Sequence, residues 1–239
     1  MKTIRFIIPN LITSFNLVFG IAAIIAALGS DFTLAFWFIL CASVCDFADG
    51  LLARLLNAYS DFGKHLDSLS DLVSFGLAPS FMVFVFMQNA TGDVLPNWLT
   101  YNAFSLCLFS AYRLARFNTQ SSSSDFLGLA VPAAALYMAS LVAYGKDLPW
   151  HFGIMTQDLV MLHLHILVIN VLMISNLKMF SLKFKNLILG ENRLRYLFIA
   201  GSLILLLVFG VAGLWFVMVF YIILSAAWAV FFNKKEKTL

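Results

Sequence analysis

Five of the chain's twelve acidic residues are aspartates between positions 46 and 71. They sit in Cys45-Asp46-Phe47-Ala48-Asp49-Gly50-Leu51-Leu52-Ala53-Arg54 and Asp61-Phe62-Gly63-Lys64-His65-Leu66-Asp67-Ser68-Leu69-Ser70-Asp71. The flanking sequence is apolar enough to cross a bilayer, where an ionisable side chain is costly and by default a candidate for function. Asp46 and Asp49 stand at i, i+3 and Asp67 and Asp71 at i, i+4, spacings that place each pair on one face of a helix. Two antiparallel helices joined by a short turn over 57–62 can aim all four carboxylates into one pocket, as carboxylate-rich bundle sites do. Four anions so close repel, and some would hold protons unless cations lay between them. The ligands are oxygen only, with no His or Cys at ligand spacing, so hard cations such as Mg²⁺ or Mn²⁺ are favoured over Zn²⁺. His65, two residues from Asp67, would point elsewhere.

The small residues around the acids allow two readings. Gly50 and Ala53 lie four residues after Asp46 and Asp49, and Gly63 lies four before Asp67, so all three share a face with an aspartate. They can clear room for a bulky ligand to approach the backbone, with Arg54 in reach of a phosphate, or they can simply let helices pack closely.

The elements that position these residues follow from composition. The chain is 62% hydrophobic and only 11% charged, with mean hydropathy +0.93, which excludes a water-soluble domain of this length. Apolar runs of bilayer-crossing length fall over 11–29, 32–57, 64–88, 98–118, 127–145, 156–176, 195–212 and 214–232. The fold class expected is all-α, a polytopic membrane protein of about eight transmembrane helices in one domain, residues 1–239. Gly210 and Gly213 are the only turn signal between the last two runs, so seven spans remain an alternative.

Cys41, Cys45 and Cys107 show no CxxC spacing and suggest neither disulfides nor a thiolate site. Lys2 and Arg5 precede an apolar run, but no cleavage site and polar mature domain follow, so this is read as a retained first span. With eight spans, fourteen of the fifteen Lys and Arg residues fall on the cytoplasmic side and only Lys146 outside. The net charge of +3 thus reflects topology and attraction to anionic head groups, the Lys178, Lys183 and Lys185 cluster included, and no nucleic-acid patch is seen. His163 and His165, at i, i+2, point to different faces of one span, and Asp158 and Asn170 have no evident partner.

The pattern D-x2-D-G-x2-A-R-x8-G-x3-D-x3-D is matched in full by Asp46, Asp49, Gly50, Ala53, Arg54, Gly63, Asp67 and Asp71, and resembles the signature of the CDP-alcohol phosphatidyltransferase family. Eight fixed positions over 26 residues make a chance match improbable. The flanks resemble the branch of that family that uses serine as acceptor: Pro9-Asn10-Leu11-Ile12-Thr13, then Asp67-Ser68-Leu69-Ser70-Asp71 continuing to Pro79, then Tyr112-Arg113-Leu114-Ala115-Arg116-Phe117-Asn118. Pro132 to Ala135 and Ser175-Asn176 add to it. The resemblance covers roughly residues 5–186, implying a six-helix catalytic core there and two additional spans at about 195–232.

What the resemblance implies is specific. The donor would be CDP-diacylglycerol and the acceptor L-serine, in a cell (inner) membrane with both termini and the active site cytoplasmic; membrane lipids are the remaining partners, and a homodimer is left open. Two ions, Mg²⁺ or Mn²⁺, would be held by Asp46, Asp49, Asp67 and Asp71, the two-metal logic of in-line displacement. Asp71 would be the general base, and must then face away from the metals or bind only one at a time, because a metal-bound carboxylate is a weak base. Gly50, Ala53, Arg54, Gly63 and Ser60 would take the nucleotide-lipid, helped by Asn10 and Thr13 at the start of the first helix. Ser60 reads equally as an N-cap. Arg113 and Arg116, at i, i+3, would bind the acceptor, or would anchor the span end by snorkelling. Other acceptors, such as glycerol 3-phosphate or inositol phosphate, would keep the same chemistry. A transporter is the remaining alternative, but its acids should be spread across membrane depth.

Overall fold

A chain this apolar must satisfy its backbone hydrogen bonds within each crossing segment, and helices do so. The computed structural model describes residues 2–91, 97–119, 127–148, 158–180 and 192–236. α1 is Lys2–Leu28 and α2 is Phe32–Leu55. α3, Asp61–Asp71, continues through a π-helical turn, Leu72–Leu77, into α4, Ala78–Thr91. A 3₁₀ run, Asn97–Phe104, leads into α5, Ser105–Thr119. α6 is Val131–Tyr144, α7 Leu159–Ile174, α8 Arg193–Phe209 and α9 Gly213–Glu236. With α3 and α4 taken as one rod, eight rods stand among the described residues, each overlapping one expected span.

Four stretches are long and apolar enough to cross a bilayer: Arg5–Leu28, Phe32–Leu55, Asp61–Ala90 and Arg193–Ala229, while Leu159–Ile174 is apolar but shorter. The protein is an all-α integral membrane protein. The last stretch is folded in two. Gly210, with φ 57°, ends α8, and α9 returns along it, Phe198 stacking on Phe220 at 6.0 Å and Phe209 meeting Phe216 at 4.9 Å. The last two apolar runs are therefore two separate helices.

α1 packs along α2, α3 and α4, α2 packs on α6, and α5 packs on the π turn and α7, while α6 receives α9. Phe36, Ile39, Phe75, Met82, Met138 and Ile166 fill the centre and are fully buried. Outer side chains such as Leu207 and Val208 stay exposed, as lipid-facing residues must. His163 is engaged with the Leu159 and Leu99 carbonyls and His165 with the Tyr137 hydroxyl, so the two histidines do serve different faces. Asp158 caps α7 and Asn170 donates to Ser105, giving each a structural partner. The Ser run 121–124, Lys183 and Lys185 lie outside the described residues.

Candidate active site

The turn between α2 and α3 is built from local chemistry. Asn57 adopts φ 48°, a left-handed conformation that Asn tolerates better than most residues. The Ala58 N–H then reaches the Ala53 carbonyl at 2.9 Å and the Asn57 N–H the Arg54 carbonyl at 3.2 Å, the two bonds of a Schellman ending. Three residues on, Ser60 caps α3, its hydroxyl oxygen accepting the Gly63 N–H at 3.0 Å, a contact type that contributes about 1 kcal/mol. Two caps so close in sequence turn the chain sharply and set α3 beside α2 in fixed register. The turn is shorter than 57–62, because α3 already begins at Asp61.

That register brings acids together. Asp46, Asp49 and Asp67 each offer a carboxylate oxygen within 4.8 Å of the others, an arrangement that can hold a metal ion. Asp49 is buried and Asp46 and Asp67 are half-buried. One oxygen of Asp67, Oδ1, is buried without a hydrogen-bond partner among the described residues. An all-oxygen donor set with an unsatisfied buried carboxylate oxygen fits a hard divalent cation. Asp71, also buried, stands outside the trio yet close enough to interact electrostatically with Asp46 and Asp67. His65 lines an apolar groove with Leu69, Leu72 and Leu114 and takes no part in the acid cluster.

Helix α1 lays a polar stripe against these acids. Thr13 Oγ1 is 2.5 Å from Asp49 Oδ2 and 3.0 Å from the carbonyl of Pro9. Asn10 lies against α3 so tightly that a Cβ on Gly63 would fall 2.9 Å from its Oδ1. Gly63 thus permits a close approach of α1 to α3, the packing alternative for that residue. Gly50 behaves differently: among the described residues a Cβ there would meet only Arg54 Nη2, at 3.9 Å, which leaves room for a ligand on that face. Ala53 gives its carbonyl to the turn, and the exposed Arg54 folds back, donating from Nε to the Gly50 carbonyl at 2.8 Å. One helical turn beyond Thr13 the same stripe continues with Asn16, which sequence reasoning passes over. It is completely buried and donates to Asp71 Oδ1 at 3.0 Å. The spacing Asn10, Thr13, Asn16 at i, i+3, i+6 is the signal that could have found it.

The two arginines of α5 part company. Arg116 donates to the Ile174 carbonyl at 3.0 Å and to Asn176 Oδ1 at 2.6 Å, so it closes the end of α7. Arg113 interacts electrostatically with Asp71 and with Tyr221 of α9, and its Nε is buried without a hydrogen-bond partner among the described residues.

An acid trio between α2 and α3, with buried Asp71 in electrostatic reach of it and of Arg113, suits a membrane-embedded enzyme that uses a metal ion. A sequence model of the CDP-alcohol phosphatidyltransferase family matches residues 6–173. The chain belongs to the CDP-alcohol phosphatidyltransferase family. Its activity is therefore that of a membrane transferase of phospholipid synthesis, in a family that generally uses divalent metals. The chain is 33% identical over 176 residues to a CDP-diacylglycerol–serine O-phosphatidyltransferase of Helicobacter pylori, covering 72% of this chain and 71% of that protein. The protein of the same name in Bacillus subtilis is 38% identical over 136 residues, 56% of this chain and 74% of its own length. That of Methanocaldococcus jannaschii is 35% identical over 131 residues, 55% and 58% respectively.

Proposed function

We propose that the protein transfers the phosphatidyl group of CDP-diacylglycerol to the hydroxyl of L-serine, releasing CMP. The observation that carries the acceptor choice is the contrast between Arg113 and Arg116. Arg116 is engaged by Ile174 and Asn176, which leaves Arg113 in electrostatic reach of Asp71 and with its Nε without a hydrogen-bond partner among the described residues. A single cation suits the one carboxylate of serine, whereas a phosphorylated acceptor calls for several. The serine-specific names of the similar proteins point the same way.

Asp46, Asp49 and Asp67 are the residues that would hold two Mg²⁺ or Mn²⁺ ions. When bound, divalent cations supply charge neutralisation at the pyrophosphate and at the departing CMP. Gly50 leaves room for the pyrophosphate at the helix backbone and Arg54 offers it a positive charge. Asp71 takes the proton of the serine hydroxyl as that oxygen bonds to the phosphatidyl phosphorus and the bond to the CMP oxygen breaks. Its place outside the trio suits a base, since metal ligation would weaken its basicity. Arg113 orients the serine carboxylate. Residues 5–186 form the catalytic core, with α8 and α9 as an addition. The distribution of Lys and Arg supports a cytoplasmic site in the cell membrane, with both termini on that side.

The test is CMP release by the purified protein in detergent from labelled CDP-diacylglycerol. L-serine, glycerol 3-phosphate and inositol phosphates are offered in turn, with and without Mg²⁺ or Mn²⁺. Release with serine and metal alone is the expected result; release with glycerol 3-phosphate in place of serine overturns the acceptor assignment.

A further inference from the structure

Asn16 is a polar side chain with no exposure at all, in the middle of a helix whose other buried positions include Ala23, Ala26 and Ala27. Burying an amide in such surroundings is unfavourable unless it is used. Its side-chain nitrogen donates to Asp71 Oδ1 at 3.0 Å, and its main-chain carbonyl accepts the Ser74 hydroxyl at 2.8 Å. Asn16 therefore grips both ends of the segment 71–74, where α3 gives way to the π turn. Single π turns inside α-helices recur at functional sites. Here the turn begins on the residue after the proposed base. With its nitrogen turned to the carboxylate, Asn16 Oδ1 is buried and has no hydrogen-bond partner among the described residues. Leaving that oxygen unsatisfied costs stability; Asn170 is half-satisfied in the same way but faces Ser105, whereas Asn16 faces the proposed base.

We propose that Asn16 is the positioning residue of Asp71. By holding Oδ1 it presents Oδ2 to the acceptor hydroxyl. It also keeps the carboxylate from swinging into the group formed by Asp46, Asp49 and Asp67, where Asp71 would become a fourth ligand instead of a base. The proposal rests on the reading of Asp71 as that base. It explains how one of four neighbouring aspartates is kept apart from the other three: the separation comes from α1, a helix that carries no acid.

Two variants test this, because Ser74 bonds the main chain of residue 16 and that tie survives any side-chain change. Asn16→Asp keeps the shape but replaces the donor by an acceptor, and Asn16→Ala removes the side chain. Each is compared with the unaltered protein and with Asp71→Asn for kcat, KM of CDP-diacylglycerol, Mn²⁺ binding and thermal midpoint. The expected result for both Asn16 variants is a kcat lower by about 100-fold, the scale of a misplaced catalytic group, with KM unchanged and Mn²⁺ binding not weakened. Wild-type kcat in both Asn16 variants beside an inactive Asp71→Asn overturns this proposal alone. So does a loss of activity that only tracks the loss of folded protein. Full turnover by Asp71→Asn removes the base assignment itself and this proposal with it.

Discussion

Gly20 of α1 and Ser74 of the π turn touch backbone to backbone: a Cβ on Gly20 would run into Ser74 Oγ and fall 2.8 Å from Ser74 Cα. The Ser74 hydroxyl uses this closeness to reach the Asn16 carbonyl. α1 is thus locked onto the segment that follows Asp71. Gly20→Ala must push α1 off that segment, since the nearest obstacle includes main chain. We expect a loss of about 1–3 kcal/mol, read as a lowered thermal midpoint in detergent, together with reduced turnover. An unchanged midpoint would show that the contact is slack.

The acid trio predicts where cation binding resides. Asp46→Asn or Asp49→Asn, each removing one charge from the group within 4.8 Å, should abolish saturable Mn²⁺ binding measured by calorimetry or electron paramagnetic resonance. Asp61→Asn, an exposed aspartate in the first turn of α3, should leave it intact. Retention of binding in the Asp46 and Asp49 variants would place the ion elsewhere.

Arg113 and Arg116 should fail in different ways. Arg113→Gln removes the charge beside Asp71, and the KM for serine should rise about 10- to 100-fold, the value of one charge-assisted hydrogen bond. Arg116→Gln strips the end of α7 of two hydrogen bonds and should lower the thermal midpoint while leaving the serine KM in place. Steady-state kinetics with varied serine separate the two. Equal KM effects would mean that both arginines meet the acceptor.

A prediction independent of the active site concerns the seating of α9. The Tyr137 hydroxyl and His165 Nδ1 are 2.6 Å apart, and the Trp215 ring of α9 lies against both, at 5.9 and 6.3 Å between centroids. Tyr137→Phe should cost about 0.6–1.7 kcal/mol, the range for a hydrogen bond between membrane helices. A double-mutant cycle with His165→Leu measures the coupling directly, and a zero coupling energy would contradict the contact.

Legibility in the sequence followed charge. Asp46, Asp49, Asp67 and Asp71 stood out because ionised groups are rare in apolar spans and their spacing names a helix face. Asn16 did not, since an uncharged amide in an apolar helix carries little signal and its partner lies 55 positions away. Arg113 and Arg116 share a face at i, i+3 and looked equivalent; only the end of α7, 58 positions from Arg116, separates them. Ser60 was ambiguous for a different reason. A hydroxyl before a helix serves cap and ligand equally, and the bond to Gly63 gives it the cap geometry. The π turn was invisible because one extra residue per turn leaves the apolar run unbroken.

The role of Asp71 as base is tested by comparing the Asp71→Asn variant with the unaltered protein for CMP release and for binding of CDP-diacylglycerol. It predicts turnover lower by about 100- to 10,000-fold, the range for loss of a general base, with nucleotide-lipid binding retained. Turnover equal to that of the unaltered protein would contradict it.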